Sequence, residues 1–279
     1  MINLNSIFSE TSTALKKIAP FQPEIAIILG SGLGDFASSL DLKVSIPTSE
    51  LPNYPASTVA GHQGKIHFAE YAGKKVILFQ GRIHFYEGYD LYQCLLPVHL
   101  CAELGCKNIL LTNAAGGINR NFSPGDLMLL TSFNSIILKK ELSEVMGISN
   151  FDAKTAFLDC PSLELNAAIK NAALEEKIPL KEGSYWFSKG PSYETPAEIE
   201  MMHKFGTDAV GMSTVHEAVY AVSRGMRCAG ISCITNFAAG ISDQKLSHEE
   251  VTVTANRVKG NFERLIKKFI EMSCYSYLN

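Results

Sequence analysis

The sequence lacks the features of a membrane protein, a secreted protein and a nucleic-acid-binding protein. No apolar run approaches the roughly 20 residues that a membrane-spanning helix needs, and no basic segment followed by an apolar run marks the N-terminus as a secretion signal. The formal net charge of the 279 residues is −3, so the chain offers no basic field for nucleic acid. These absences predict a cytoplasmic protein that binds anions through a few local donors.

Disulfide and metal-binding patterns are missing as well. The seven cysteines are odd in number, include no Cys-x-x-Cys pair and often stand inside apolar stretches, where cysteine acts as a small hydrophobic residue. This usage favours a reducing, intracellular setting. The sequence has no His-Glu-x-x-His motif and no Cys/His cluster, so we expect no metal site.

What the sequence does contain is an alternation of strands and helices. Apolar runs that end at glycine or polar clusters predict strands, and apolar residues at helical spacing predict helices. The predicted strands are 25–29, 65–70, 75–80, 108–112, 127–133, 183–188 and 228–234. The predicted helices are 3–18, 91–104, 162–176, 196–205, 214–224 and 248–273. Residues 133–160 have no clear period and suggest a mobile loop. Together these elements predict an α/β fold, with one domain over residues 1–279 and a mixed central sheet flanked by helices.

A glycine-rich turn and an Arg–His pair suggest an anion site. Residues 30–34, Gly-Ser-Gly-Leu-Gly, follow a predicted strand, where glycines let backbone N–H groups approach a ligand and Ser31 adds a hydroxyl donor. Their spacing fits neither a dinucleotide fingerprint nor a P-loop, so a plain strand-to-helix turn is an equal alternative. Arg82 and His84 follow strand 75–80 and would share a face if the strand continues. Alone they would more simply be a surface arginine and a packed histidine, but beside the glycine turn a phosphate site is favoured.

A second group of polar residues suggests a site for a heterocyclic base. Glu194 follows a Gly-Pro-Ser turn and can accept from ring N–H groups, and Asn236 ends a strand with an amide that both donates and accepts. Alternatively, Glu194 or Thr195 caps helix 196–205, and Asn236 is a plain turn residue. Neighbouring apolar residues suit the other contacts, although such residues are more often core: Tyr193 and Phe237 for stacking on a base, Met212 and Tyr86 for a ribose.

Eight motifs follow one another along the chain. They are 30–34 (GSGLG), 61–64 (GHQG), 81–89 (GRIHFYEGY), 112–117 (TNAAGG), 190–195 (GPSYET), 208–214 (DAVGMST), 235–236 (TN) and 248–251 (HEEV). In their order and spacing, the chain resembles the trimeric class of purine nucleoside phosphorylases. The resemblance covers roughly residues 20–130 and 183–265. It implies a homotrimeric enzyme of purine salvage, in which orthophosphate attacks C1′ of inosine or guanosine and releases the base and ribose 1-phosphate without a cofactor.

The resemblance also implies a role for each matched residue. Phosphate would be bound by Ser31, His62, Arg82, His84, Ser213 and the backbone N–H of Ala114. Ribose would be bound by Tyr86, Met212 and His248. The base would be bound by Tyr193, Glu194, Thr235 and Asn236. Asn236, Glu194 and His84 would be the catalytic residues.

The chemistry of a purine leaving group agrees with these residue types. Cleavage of a glycosidic bond passes through an oxocarbenium-like state, and the departing purine takes up negative charge. Asn236 can stabilise that charge near N7 and O6, while Glu194 orients N1–H and the bound phosphate stabilises the cationic sugar. Because an amide suits a 6-oxopurine and an aspartate would favour a 6-amino group, Asn236 favours inosine and guanosine over adenosine.

Three other functions remain open at this point. A methylthioadenosine or adenosine phosphorylase of the same fold is disfavoured by Asn236. A non-catalytic nucleoside-binding protein is disfavoured because Arg82, His84, Glu194 and Asn236 are all present. A nucleotide-binding dehydrogenase is disfavoured by the missing dinucleotide fingerprint.

Residues 131–160 depart from the family's pattern. Family members carry a segment like Asp-His-Ile-Asn and then Asn-Pro-Leu, whereas residues 131–135 here are Thr-Ser-Phe-Asn-Ser and no Asn-Pro-Leu follows. The family donates an aromatic residue from this region to the ribose pocket of the neighbouring subunit, and Phe151 is the candidate for that role.

Overall fold

A nine-stranded mixed sheet forms the centre of the molecule and confirms the predicted α/β fold class. The computed structural model describes residues 2–58, 63–147, 156–242 and 248–273. In these ranges the strands are β1 (Ile25–Leu29), β2 (Asp41–Pro47), β3 (Lys65–Tyr71), β4 (Lys74–Gln80), β5 (Asn108–Gly117), β6 (Leu127–Asn134), β7 (Leu180–Phe187), β8 (Ala209–Gly211) and β9 (Arg227–Phe237).

The order of the strands is β2-β3-β4-β1-β5-β8-β7-β6-β9, and β5 also pairs with β9. The second pairing closes β5, β8, β7, β6 and β9 into a ring, so one half of the sheet is barrel-like. β1 runs parallel to β4 and β5, and β5 runs parallel to β9. The carboxyl ends of these four strands therefore lie at one edge, where α/β proteins bind ligands.

Helices cover both faces of the sheet. They are α1 (Leu4–Ile7), α2 (Ser9–Ile18), α3 (Leu91–Cys94), α4 (Leu96–Glu103), α5 (Lys139–Met146), α6 (Leu163–Glu175), α7 (Pro196–Lys204), α8 (Val215–Ser223) and α9 (His248–Met272). Successive side chains of a strand point to opposite faces. Ile25 and Ile27 of β1 accordingly pack in the core layer of α6 and α9, and Ala26 and Ile28 pack in the layer of α4 and α8. No helix in the described ranges is long and apolar enough to cross a bilayer.

The sequence around Thr195 explains where α7 begins. The Thr195 hydroxyl accepts from the Glu198 backbone N–H at 3.3 Å, and the Glu198 carboxylate accepts from the Thr195 N–H at 2.7 Å. This reciprocal capping box, followed by Pro196 at the first helical position, fixes the start of the helix. Thr195 is thus the cap, and the alternative that Glu194 caps this helix is wrong.

The structure differs from the sequence expectations in three places. Strand β4 ends at Gln80 and Gly81 takes φ +133°, so Arg82 and His84 do not lie on a continued strand. The predicted loop 133–160 contains a 3-10 helix, Ile136–Leu138, followed directly by α5. Strands β2 and β8 were not predicted, because β2 is a partly exposed edge strand and β8 has only three residues.

Candidate active site

A cavity of about 250 Å³ lies at the carboxyl ends of the strands and gathers residues from six separate segments of the chain. The predicted site residues that line it are Ser31, Arg82, His84, Tyr86, Ala114, Tyr193, Glu194, Met212, Ser213, Thr235 and Asn236. Residues that are more than 200 positions apart in the sequence, such as Ser31 and Asn236, therefore line one pocket.

Four predicted residues are not among those that the structure describes as lining the cavity. His62 and Phe151 lie outside the described residues, and the side chain of His248, the first residue of α9, lies outside them too. Phe237, predicted to stack on a base, is not part of the cavity lining. Its backbone carbonyl instead accepts from the Asn236 amide at 2.9 Å.

The turn that carries Ser31 is packed tightly against β5. A Cβ at Gly30 would lie 2.6 Å from Asn113 Cα, a distance that real Cβ atoms essentially never show. The Gly30 N–H donates to the Thr112 hydroxyl at 3.0 Å, and that hydroxyl donates to the Ile28 carbonyl at 3.1 Å. Glycine is thus required at residue 30, and Thr112 fixes Ser31 at the cavity wall.

Arg82 is held from behind by buried partners. Its Nε donates to Glu217 Oε1 at 2.9 Å, and its Nη1 donates to the Thr112 carbonyl at 2.8 Å. The arginine and glutamate side chains are 1% and 0% exposed, so their charges compensate each other away from water. The guanidinium is therefore a fixed cationic wall of the cavity.

His84 is oriented by Glu87. Glu87 Oε1 lies 3.1 Å from His84 Nδ1 and accepts from the His84 backbone N–H at 2.8 Å. Burial raises the pKa of the Glu87 carboxyl, but hydrogen bonds from His84 and Thr58 outweigh it and lower that pKa to about 2. Glu87 is therefore ionised and binds Nδ1, which leaves Nε2 as the ring nitrogen that can serve the cavity.

Tyr86 stacks on His84, with ring centroids 4.8 Å apart and planes inclined by 21°. Burial and the charge of Glu87 raise the pKa of Tyr86 to about 12, so its hydroxyl remains a hydrogen-bond donor. The pair forms a wall of the cavity with an imidazole ring at one end and a phenol at the other.

The residues after β8 adopt a strained turn. Thr214 has φ +74° and ψ −52°, and the Val215 N–H donates to the Ser213 carbonyl at 2.8 Å, which is a γ-turn of the rare hand. Asn113 stabilises it by donating from Nδ2 to the Thr214 hydroxyl at 2.9 Å. Strain of this kind persists only when its surroundings impose it, and here it places Ser213 at the cavity beside the start of α8.

A β-bulge aims Thr235 and Asn236 at the opposite end of the cavity. The pairing of β5 and β9 runs Ala115–Ile234 and then Gly116–Asn236, so Thr235 is the extra residue. The Thr235 hydroxyl donates to Asn236 Oδ1 at 2.9 Å, which orients the amide. A Cβ at Gly116 would lie 3.3 Å from Asn236 Nδ2, so glycine leaves room for that group.

Glu194 presents an acceptor that the described residues do not use. Its Oε1 is buried and has no hydrogen-bond partner among them. Buried polar atoms are nearly always paired, so an orphan acceptor beside a cavity indicates a ligand donor. Tyr193, the preceding residue, is 45% exposed at the cavity mouth.

The middle of the cavity is shaped by Gly190. This residue has φ +66°, and a Cβ there would lie 2.6 Å from Met212 Sδ and 3.1 Å from Tyr86 Cδ1. Both the backbone conformation and the space thus require glycine. Met212 and Tyr86 can approach each other only because residue 190 has no side chain.

Sequence reasoning assigned no role to four residues that build the site: Glu87, Asn113, Tyr185 and Glu217. Tyr185 is fully buried, and its hydroxyl lies 3.5 Å from the Ser213 N–H, from which it accepts. A signal existed for Glu217, because it is a carboxylate inside the apolar run Val215–Ser223. The others lie in motifs or strands whose side-chain directions the sequence does not reveal.

The cavity thus combines two chemistries. Arg82, His84 and Ser31 supply donors at one end, and Glu194 and Asn236 supply an acceptor and an amide at the other. In the described ranges, no group of three His, Cys, Asp or Glu side chains is placed to hold a metal ion.

Comparison with known proteins places this geometry in a family. The model of the phosphorylase superfamily matches residues 24–271. The purine nucleoside phosphorylase 1 of Geobacillus stearothermophilus is 42% identical over 262 residues, which cover 92% of this chain and 93% of that protein. The crystal structure of the Schistosoma mansoni purine nucleoside phosphorylase with inosine has a TM-score of 0.86 at 32% identity and covers 97% of this chain and 98% of that one. The structure of the Schistosoma mansoni enzyme with adenosine has a TM-score of 0.86 at 33% identity, with the same coverage. The chain therefore belongs to the phosphorylase superfamily and, within it, to the enzymes named purine nucleoside phosphorylases.

Proposed function

We propose that this enzyme cleaves inosine and guanosine with orthophosphate, releasing the purine base and ribose 1-phosphate for purine salvage. The observation that carries the proposal is that one cavity holds Arg82 and His84 at one end and Glu194 and Asn236 at the other. This spacing suits an anion and a base with a sugar between them.

Phosphate occupies the end with the donors. Arg82 supplies a fixed positive charge, His84 Nε2 and the Ser31 and Ser213 hydroxyls supply further donors, and the Ala114 backbone N–H completes the set. His62, which precedes the described residue Gln63, is proposed to close over the bound anion. Because phosphate is itself the nucleophile, no side chain has to attack C1′.

The ribose lies between Met212 and Tyr86, with His248 assigned to its 5′-hydroxyl. As the glycosidic bond lengthens, the sugar becomes oxocarbenium-like, and the bound phosphate stabilises the positive charge from below. Positioning of the two reactants and electrostatic stabilisation together supply the catalysis.

The base is held by Glu194 and Asn236, with Thr235 behind the amide and Tyr193 stacked at the mouth. The orphan Glu194 Oε1 accepts from N1–H of a 6-oxopurine. Asn236 Nδ2 uses one hydrogen for the Phe237 carbonyl and offers the second to the region of N7 and O6, where negative charge develops on the leaving purine.

Adenosine is the alternative substrate that needs testing, since a similar enzyme has been crystallised with it. The Thr235 hydroxyl donates to Asn236 Oδ1, so the amide presents its Nδ2 donor to the cavity. A donor suits the O6 of hypoxanthine and guanine and opposes the 6-amino group of adenine. We therefore favour inosine and guanosine over adenosine and methylthioadenosine.

The remaining features are proposed from the resemblance. The enzyme is a cytoplasmic homotrimer, needs no cofactor and works as a single functional unit over residues 1–279. Light scattering of the protein as it elutes from a size-exclusion column should give a mass three times 30.5 kDa. The mass of a monomer would contradict the trimer.

The direct test is a base-release assay with inosine, guanosine and adenosine, each with and without orthophosphate. We expect hypoxanthine and guanine to be released only with phosphate, and adenine release to be slower by at least about tenfold. Equal turnover of adenosine and inosine would contradict the assignment of Asn236.

A further inference from the structure

Glu217 is a buried carboxylate without an evident role in the chemistry. It stands in the first turn of α8, where the helix dipole favours a negative charge. It is 0% exposed and does not line the cavity, so it cannot touch a substrate there. Its Oε2 has no hydrogen-bond partner among the described side chains, and Oε1 binds Arg82.

A charge in such a place is costly unless a partner compensates it. Burying a carboxylate and a guanidinium together is often no more stabilising than an apolar pair of the same volume. Stability of the fold alone therefore gives little reason for Glu217. The residue it contacts, however, is a wall of the cavity.

The geometry explains what the contact does to Arg82. Glu217 Oε1 binds Nε and the Thr112 carbonyl binds Nη1, at 2.9 and 2.8 Å, so two points fix the plane of the guanidinium. The same α8 carries Ser213 and Thr214 immediately before its first turn. One helix thus places a hydroxyl in front of the anion and a carboxylate behind the arginine.

We propose that Glu217 is the positioning residue of the phosphate subsite: it aligns Arg82 and thereby sets phosphate affinity without contacting substrate. The inference rests on the proposed binding of phosphate by Arg82. A guanidinium that can rotate loses its bidentate match to phosphate, whereas the nucleoside end of the cavity does not depend on it.

Two conservative variants distinguish the effect of the length of the Glu217 side chain from the effect of its charge. Glu217→Asp keeps the charge but withdraws the carboxylate by one methylene, and we expect the KM for phosphate to rise about tenfold. Glu217→Gln keeps the reach and an acceptor oxygen, and we expect that KM to stay within about threefold of the parent. In both variants the KM for inosine should remain that of the parent enzyme.

Glu103 provides the matched control. It pairs with Arg224 at 3.0 Å and with Lys16 at 2.7 Å, outside the cavity. Glu103→Asp and Glu103→Gln should change thermal stability and leave both KM values unaltered. A double variant with Arg82→Lys completes the test, because Glu217→Asp should have no further effect on the KM for phosphate once the guanidinium is gone.

The outcomes are distinct. If Glu217→Asp leaves the KM for phosphate unchanged, or raises the KM values for phosphate and inosine alike, Glu217 has only a structural role and the inference is overturned. If instead the parent enzyme cleaves inosine without phosphate, it is the proposed function that fails. Saturable dependence of the parent on phosphate, with a selective loss in Glu217→Asp, supports both.

Discussion

Individual polar residues in the cavity owe their orientation to partners one layer behind them. Thr235 fixes the Asn236 amide, Glu87 fixes His84, and Glu217 fixes Arg82. Such preorganisation means that the groups need not rotate when charge develops in the transition state. Changes in the cavity residues should therefore alter catalysis and specificity much more than they alter stability.

Asn236→Asp should invert the base preference. A carboxylate cannot donate to O6 or N7, so kcat/KM for inosine should fall by about a hundredfold, whereas adenosine, whose 6-amino group can donate to the carboxylate, should lose less or gain. The measurement is kcat/KM for both nucleosides at saturating phosphate. Asn121→Asp, which adds the same charge at an exposed position, is the control and should leave the ratio unchanged. A ratio that does not move in Asn236→Asp would remove Asn236 from base recognition.

Gly190→Ala tests the shape of the ribose end. Gly190 and Gly206 have similar positive φ values, +66° and +73°, but a Cβ at Gly206 meets nothing within 4 Å, whereas one at Gly190 meets Met212. Both alanine variants should lose about 1 kcal/mol of unfolding free energy from backbone strain. The KM for inosine should rise only in Gly190→Ala. Equal KM values in the two variants would show that Met212 does not bound the sugar.

Helix α5 lies within residues 131–160, the region predicted to depart from the family's sequence pattern, and it is tied to the loop that leads to Glu194. Lys189, just after β7, lies 2.5 Å from Glu141 of α5, and its ammonium stands 5.7 Å from the centroid of the Phe85 ring. Lys189 therefore joins α5, the segment of Tyr86 and the loop that leads to Glu194. The contact therefore links α5 to two segments that line the cavity.

Breaking this contact should weaken nucleoside binding selectively. Because the ion pair is partly exposed, Lys189→Met should raise the KM for inosine by only about two- to fivefold and leave the KM for phosphate unchanged. Combining Lys189→Glu with Glu141→Lys should restore the parent value. The control is Lys140→Met on the same helix, since Lys140 is 83% exposed and 3.9 Å from Glu144. No recovery in the reversed pair would argue that Lys189 acts through Phe85 alone.

Some of these elements could be predicted from the sequence and others could not. Buried strands such as β1 and β5 were predictable because their apolar runs end at glycine or polar clusters, and the site residues stand at those ends. Strand β2 was not predictable, because an exposed edge strand has only a weak alternation of apolar and polar residues. Helix α5 was not predictable either, because its polar sequence shows no clear helical period. Partners such as Glu87 and Glu217 escaped because their roles depend on contacts between segments, as with the 135 positions that separate Arg82 from Glu217.

At the scale of the whole molecule, closing five strands into a ring brings the ends of β5, β8 and β9 to one cavity and buries the start of α8 beneath it. His216 lies there fully buried, with its ring edge-on to Phe187 at 5.4 Å. Neither of its ring nitrogens has a partner within the described residues. Burial lowers the pKa of His216 to about 4; the Glu217 charge opposes this shift and the Arg82 charge adds to it.

His216 should make the fold sensitive to mild acid. Its pKa is about 4 when folded and about 6.5 when unfolded, so the unfolded chain binds the proton first. Unfolding free energy should therefore fall as the pH drops through this window, by up to about 1.4 kcal/mol per pH unit.

His216→Leu should reduce the slope of unfolding free energy against pH, measured by urea unfolding between about pH 7 and about pH 5. His203→Gln, which replaces an exposed histidine, is the control and should not reduce that slope. Burial also lowers the pKa of His99, to about 4, and the pKa of His67, so both should contribute to the slope that remains. An unchanged slope in His216→Leu would contradict the burial of a neutral ring.

The central claim is that phosphate itself attacks C1′ in this cavity, and the source of the new oxygen tests it most directly. The enzyme would be given inosine and orthophosphate in ¹⁸O-enriched water, and the sugar products would be analysed by mass spectrometry. We expect hypoxanthine in equal amount to ribose 1-phosphate, with no ¹⁸O in the sugar phosphate and no free ribose. Free ribose in equal amount to hypoxanthine, without ribose 1-phosphate, would show that water is the nucleophile and would contradict attack by phosphate.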